Sequence, residues 1–205
     1  MRLLPVVAAL LALAACAEPP QEAPAEPAVP SILAPSGPDR AVADVAEVDG
    51  SGVSGRVEFT SLGDSVEVRY NLSGLSAGEH GFHVHRVGDC GPDSTGTPAG
   101  AAGGHLNPLS SPHGAPDSSA ARRHAGDLGN VAAEGGQAIG VVVDSVLAFA
   151  GPTSILGKAV VVHARRDDFA SQPDGDAGAR VGCGVIRRAT DPPPAGGPPT
   201  DSIPS

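Results

Sequence analysis

The chain has 205 residues, with 28 Gly, 21 Pro, no Trp, one Tyr and a formal net charge of −10. That length suits one domain plus tails, and the Gly and Pro content predicts many turns and few long helices. Without a basic stripe to neutralise phosphates, nucleic acid is excluded as a partner; with so few aromatics, the core must be built from Val, Ala, Leu and Ile.

The N-terminus reads as a targeting segment over residues 1–15. Arg2 supplies a short positive region, and Leu3 to Leu13 form an apolar stretch too short to span a bilayer. It runs into Leu13-Ala14-Ala15-Cys16, which resembles a bacterial lipobox, the signal whose cysteine is lipidated. The alternative is an ordinary secretory signal with an incidental Cys16. A lipidated Cys16 makes the protein an envelope lipoprotein facing the periplasm or the exterior, held by several acyl chains, since one chain anchors only marginally. Residues 16–40 are rich in Ala, Pro and Glu and read as a disordered or polyproline-like tether. Three cysteines in an exported chain leave an odd thiol, unless Cys16 carries lipid and Cys90 pairs with Cys183. An oxidising compartment allows that pairing, and closing its loop contributes roughly 4–5 kcal/mol in the chain-entropy picture.

Residues 41–188 are strand-like. Ala41–Val48, Gly55–Thr60 and Ser65–Ser73 carry period-2 or β-branched patterning, separated by Asp49-Gly50 and Gly63-Asp64 turn signals. Gly81–Arg86, Asp127–Ala133, Ala138–Ser145, Gly157–His163 and Arg180–Arg187 complete eight candidate strands. Two long segments interrupt them, about 88–126 and 164–179, and stretches of that length in a compact domain are functional or disordered. Residues 189–205 are proline-rich and read as a disordered tail.

All seven histidines fall between His80 and His163. His83 and His85, at i and i+2, project from one face of a strand while Phe82 and Val84 point into the core. The first long segment offers His105, His113, His124 and Asp127, three imidazoles and one carboxylate, a closed tetrahedral set suited to zinc. His163 ends an apolar strand and, taken alone, is as well explained as a strand-edge residue.

The pieces Gly81-Phe82-His83-Val84-His85, Gly104-His105-Leu106-Asn107-Pro108, Arg123-His124-Ala125-Gly126-Asp127-Leu128-Gly129-Asn130 and Gly182-Cys183-Gly184-Val185-Ile186 together resemble the Cu,Zn superoxide dismutase family. The resemblance covers residues 41–188. It implies an all-β, eight-stranded Greek-key β-barrel with two long functional loops, of the Ig-like sandwich type in which this family is a standard member. It also implies one copper and one zinc per subunit. Copper would be held by His83, His85, His105 and His163, and zinc by His105, His113, His124 and Asp127. The shared His105 would bridge the metals and act as a proton source. Arg180, three residues before Cys183, matches the arginine that docks the superoxide anion. Asp167 matches the carboxylate that links a copper histidine to a zinc histidine, and His80 matches a structural histidine outside the ligand set. The implied activity is conversion of superoxide to dioxygen and hydrogen peroxide by Cu(II)/Cu(I) cycling, protecting the envelope. A non-catalytic copper- and zinc-binding protein on the same fold is the alternative.

An acidic protein that attracts a small anion needs locally focused positive charge, for which superoxide dismutases are a standard illustration. Arg86, Arg165 and Arg166 either add to that field or are solvated surface charge. The five-residue spacing from His85 to Cys90 resembles the bacterial branch of the family, whose members are monomers or homodimers.

Overall fold

The computed structural model describes residues 39–190. The targeting segment, Cys16 with its expected lipid, nearly all of the tether and most of the proline-rich tail lie outside the described residues. Nine strands follow in chain order: β1 (Arg40–Glu47), β2 (Ser54–Ser61), β3 (Val66–Ser73), β4 (Gly78–His85), β5 (Asp127–Ala133), β6 (Gln137–Asp144), β7 (Ala159–His163), β8 (Arg180–Val185) and the two-residue β9 (Arg187–Arg188). Among the described residues the sole helical piece is a 3₁₀ turn, Gly100–Ala102.

Every pairing is antiparallel, and the strands follow the order β5-β4-β7-β8-β1-β2-β3-β6, with β9 added on β1. The tight β5–β6 turn, bridged by Glu134 and Gln137, brings the two ends of this path together and nearly closes it into a barrel. Strands β4, β5 and β6 are consecutive, and β7 then returns across to lie beside β4, which is the Greek-key arrangement.

Alternation builds the interior. Ala41, Ala43 and Val45 of β1, Val57 and Phe59 of β2, and Val160 and Val162 of β7 point inward and are almost fully buried. Phe82 and Val84 of β4 join that core, so the intervening His83 and His85 are carried on the opposite, outer face of the wall. The same parity puts Ala159, Val161 and His163 on the outer face of β7. There Ala159 and Val161 pack with Ala99 and Ala102 of the long 86–126 segment and with Cys183. The Cys90–Cys183 disulfide, with Cα atoms 5.7 Å apart, ties that segment to β8 across a sequence separation of 93.

Two register shifts aim the site residues. Along the β4–β5 ladder, His80 faces Val131 and Gly81 faces Asn130, but His83 faces Asp127, so β5 carries one extra residue. Gly129, at φ +90°, supplies the backbone conformation for it. Along β7–β8, Val162 faces Gly182 and His163 faces Arg180, so β8 carries the extra residue at Val181. Without these bulges neither Asp127 nor Arg180 would stand opposite a histidine.

Candidate metal centre

The outer face of β4 and β7, covered by the two long loops, gathers six of the seven histidines. Two four-donor groups form there: His83, His85, His105 and His163, and then His105, His113, His124 and Asp127. All seven residues are buried. Within each group the donor atoms all lie within 4.8 Å of one another, and His105 belongs to both.

Hydrogen bonding fixes which nitrogen of each ring is free. His85 Nδ1 donates to the Gly103 carbonyl at 2.8 Å and His163 Nδ1 to the Gly178 carbonyl at 3.0 Å. A carbonyl can only accept, so both Nε2 atoms carry lone pairs, and these face each other at 3.3 Å. His83 Nε2 donates to Asp167 Oδ2 at 2.7 Å, which leaves its buried Nδ1 without a partner. The buried His105 Nε2 is also unpartnered. Four lone pairs thus converge with no proton between them, an arrangement that repels itself and suits a cation bound by imidazole nitrogens, copper among them.

The second group behaves likewise. His113 Nε2 donates to Asp167 Oδ1 at 2.9 Å, and its Nδ1 lies 3.1 Å from Asp127 Oδ1. His105 Nδ1 lies 2.7 Å and His124 Nδ1 3.2 Å from the same oxygen, and the two nitrogens are 3.3 Å apart. Bonds of about 2.0 Å in a tetrahedron place neighbouring donors about 3.3 Å apart, so this cluster is sized for zinc. The other Asp127 oxygen accepts the backbone N–H groups of His124 at 2.8 Å and Gly114 at 3.1 Å, which fixes the carboxylate.

The charges follow from this packing. Burial lowers the pKa of His83 and His85 far below the ordinary imidazole value, and that of His163 to about 4; the neighbouring His105 adds to each effect. Burial works against charge on His113 too, but Asp127 and Asp167 outweigh it and raise that ring to about 9. Burial would push both carboxyl groups upward, yet their histidine partners hold Asp127 and Asp167 below the usual carboxylate range.

A cavity of about 710 Å³ opens onto the clusters, with His85, His105 and His163 of the first and His124 of the second in its wall. Its charged lining is Arg86, Lys158, Arg180 and Asp174, three cations against one anion. The Arg180 guanidinium bonds the carbonyls of Ala99 and Gly103, the latter at 2.6 Å, which holds it beside the cluster. Of the other arginines weighed from the sequence, Arg165 is taken up by Asp176 at 2.6 Å and Arg166 by Glu79 at 2.7 Å. His80 stands apart from both clusters, donating from Nδ1 to the His163 carbonyl and accepting at Nε2 from the Ser76 hydroxyl.

Four supporting residues were not singled out in the sequence. Lys158 is brought to the cavity wall from the start of the β7 segment. Asn130 clamps Asp167 through its amide, donating to the Asp167 carbonyl at 3.0 Å and accepting its N–H at 2.7 Å. Gln172 clamps the backbone of His113 in the same two-way manner, at 2.8 and 3.0 Å. Gly175 sits at φ +68°, and a Cβ there would fall 1.9 Å from Asp167 Oδ1. A Gln or Gly in a loop gives no periodic signal; only the three-dimensional contact identifies it.

A Greek-key barrel bearing two buried donor clusters that share one imidazole defines a dinuclear metalloprotein. Residues 53–186 match the family description copper/zinc superoxide dismutase, and the chain belongs to that family. It is 41% identical over 139 residues to the extracellular superoxide dismutase [Cu-Zn] of Caenorhabditis elegans, a match covering 64% of this chain and 60% of that protein. The crystal structure of the clock protein EA4 is similar with a TM-score of 0.64 and 38% identity, covering 74% of this chain and 96% of the other.

Proposed function

We propose that this protein disproportionates superoxide, two anions and two protons giving dioxygen and hydrogen peroxide. The observation that carries the reading is the cavity that reaches three histidines of the first cluster, with Arg180 fixed beside it. His83, His85, His105 and His163 would hold copper, and His105, His113, His124 and Asp127 would hold zinc. Copper would supply a one-electron couple, and zinc a fixed positive charge that orders the loop.

The residues of the chain do the remainder. Arg180 orients the anion, with Arg86 and Lys158 raising the local concentration of negative species at the mouth of the cavity. When not donating to copper, His105 Nε2 would hold a proton for the peroxide product while Nδ1 stays in the second cluster. Asp167 keeps His83 and His113 protonated at Nε2, so that both present Nδ1 as donors. The test compares superoxide decay by the copper- and zinc-loaded protein with that of its Arg180→Ala variant. At least about a tenfold loss in the variant is expected, about 1.4 kcal/mol of barrier. Wild-type activity no greater than that of the metal-free protein would overturn the reading and leave metal binding alone.

The location follows from the N-terminal signal, and the name of the worm relative is that of an extracellular protein. The chain is exported and held at the envelope by lipid on Cys16. Cys16→Ser should release it from membranes into the soluble fraction; unchanged membrane association would remove the lipid anchor from the account.

A further inference from the structure

The ring of His163 is aimed by the return limb of the 164–179 loop. Its Nδ1 donates to the Gly178 carbonyl, so Nε2 faces His85 and the first cluster only while that carbonyl stays in place. Gly178 lies outside the strands, at φ +80°. Two main-chain bonds hold its limb to the start of the loop, Ala164 N–H to the Ala179 carbonyl at 2.8 Å and Arg165 N–H to the Ala177 carbonyl at 2.9 Å. The Arg165 side chain then crosses the same limb. Its Nε and Nη2 donate to the Asp176 carbonyl at 3.2 and 2.9 Å, and Nη2 also donates to Asp176 Oδ1 at 2.6 Å. The guanidinium lies over Gly178, where a Cβ would stand 3.3 Å from both Nε and Cζ. Asp176 itself is at φ +51°, a left-handed conformation uncommon outside glycine, which these three bonds help to hold. Among the described residues, His163 and Arg165 are the only side chains that reach across to bond residues 176–179. The outgoing limb is anchored separately, by Asn130 at Asp167 and by Gln172 at His113.

We propose that Arg165 is a positioning residue for copper. Latched on Asp176, it fixes the Gly178 carbonyl and, through it, the tautomer and orientation of His163. The proposal rests on the copper reading of the first cluster. Two observations separate this role from attraction of the substrate anion: Arg165 does not line the cavity, and Asp176 offsets its charge at 2.6 Å. Charge is not what makes the latch either. The two side chains are 59% and 71% exposed, and an ion pair so exposed contributes little. Geometry does the holding, because a planar guanidinium can grip a carbonyl and a carboxylate together. A lysine ammonium has the charge without that fork.

Arg165→Lys is therefore the informative variant. In chelator competition it should hold copper about 3–10-fold more weakly, less than the 10–100-fold typical of a residue bonded directly to a ligand, with zinc affinity unchanged. In zinc-loaded, copper-free protein the His163 Nδ1 proton should exchange with solvent faster by NMR. The electron paramagnetic resonance spectrum of the copper(II) form should change, and Arg165→Ala should match Arg165→Lys in every readout. Copper affinity or His163 proton exchange unchanged in Arg165→Lys overturns the proposal. So does an equal loss of zinc, because the whole loop would then have moved rather than one limb. The readouts are binding and proton exchange, so a protein that holds copper without dismutating superoxide still tests the latch. Failure of His163→Ala to release copper would instead remove the copper reading on which it rests.

Discussion

One carboxylate sets the chemistry of both clusters. Asp167 accepts a hydrogen bond from His83 and another from His113, and so decides the tautomer of one ring in each donor set. Asn in its place would offer an amide N–H to one of two rings that need an acceptor. Asp167→Asn should therefore weaken both metals, by about 10–100-fold each, read as a shift in chelator competition. Loss at one cluster only would show that the two bonds are not equivalent. His163→Ala separates the clusters from the other side, because that ring belongs to the first donor set alone. Copper should be lost while zinc remains; equal loss of both would contradict two distinct sites. Gly175 must stay small for the Asp167–His113 bond to exist, since φ +68° and a Cβ 1.9 Å from Asp167 Oδ1 both exclude a side chain. Gly175→Ala should reproduce the zinc defect of Asp167→Asn and lower thermal stability as well.

At the scale of elements, the end of β6 and the long 86–126 segment are joined by one buried ion pair. Arg123, just before His124, donates to Asp144 at the end of β6 at 2.5 Å, and both side chains are about 1% exposed. The same guanidinium bonds the carbonyls of Ser118, His124 and Asp127, while Asp144 accepts the N–H groups of Val146 and Leu147. Removing one partner strands the other charge without water, so Arg123→Met should cost about 3–5 kcal/mol by urea unfolding. Arg123→Met with Asp144→Leu should recover much of that; no recovery would mean the carbonyl contacts outweigh the ion pair. Alternation made these strands legible, and Asp127–Ala133 is a strand with the same bounds in sequence and structure. Where alternation stops, legibility stops with it. Arg180–Arg187 reads as one run, but Ile186 leaves the ladder to exchange hydrogen bonds with Gly157 and Lys158, and the chain divides into β8 and β9. β4 begins at Gly78, three residues before the Gly81 expected from patterning, because its polar start is paired to Val131, Ala132 and Ala133 of β5. The clustered histidines stood out in the sequence because their residue type is chemically distinctive. Asn130 and Gln172 act through amides across 37 and 59 residues, and nothing local sets them apart.

For the whole molecule, burying so many imidazoles makes the metal-free protein sensitive to pH in both directions. His83, His85 and His163 are neutral when folded, and His163 falls to about 4 through burial, so an unfolded chain binds protons that the folded chain refuses. Their contribution to stability is complete above about 6.5 and is lost as pH falls toward 4, with His163 alone accounting for about 3 kcal/mol across that range. The depressed carboxyls of Asp127 and Asp167 continue the loss below about pH 4. His113 has the opposite sign. Raised to about 9 against the effect of burial, it contributes fully below about 6.5, and that contribution is lost as pH rises through 9. The metal-free protein should thus be most stable near pH 6.5, with a steeper decline on the acid side, where three rings act against one. Zinc changes the alkaline limb specifically. A ligand His113 is held neutral at Nδ1 by the metal, so its titration disappears and the decline between pH 6.5 and 9 should vanish with it. Melting temperatures of metal-free and zinc-loaded protein across this range measure both limbs. A metal-free protein equally stable at pH 4 and 6.5 would mean that its histidines are solvated when the metals leave, and the clusters would then be assembled by metal rather than held ready by the fold.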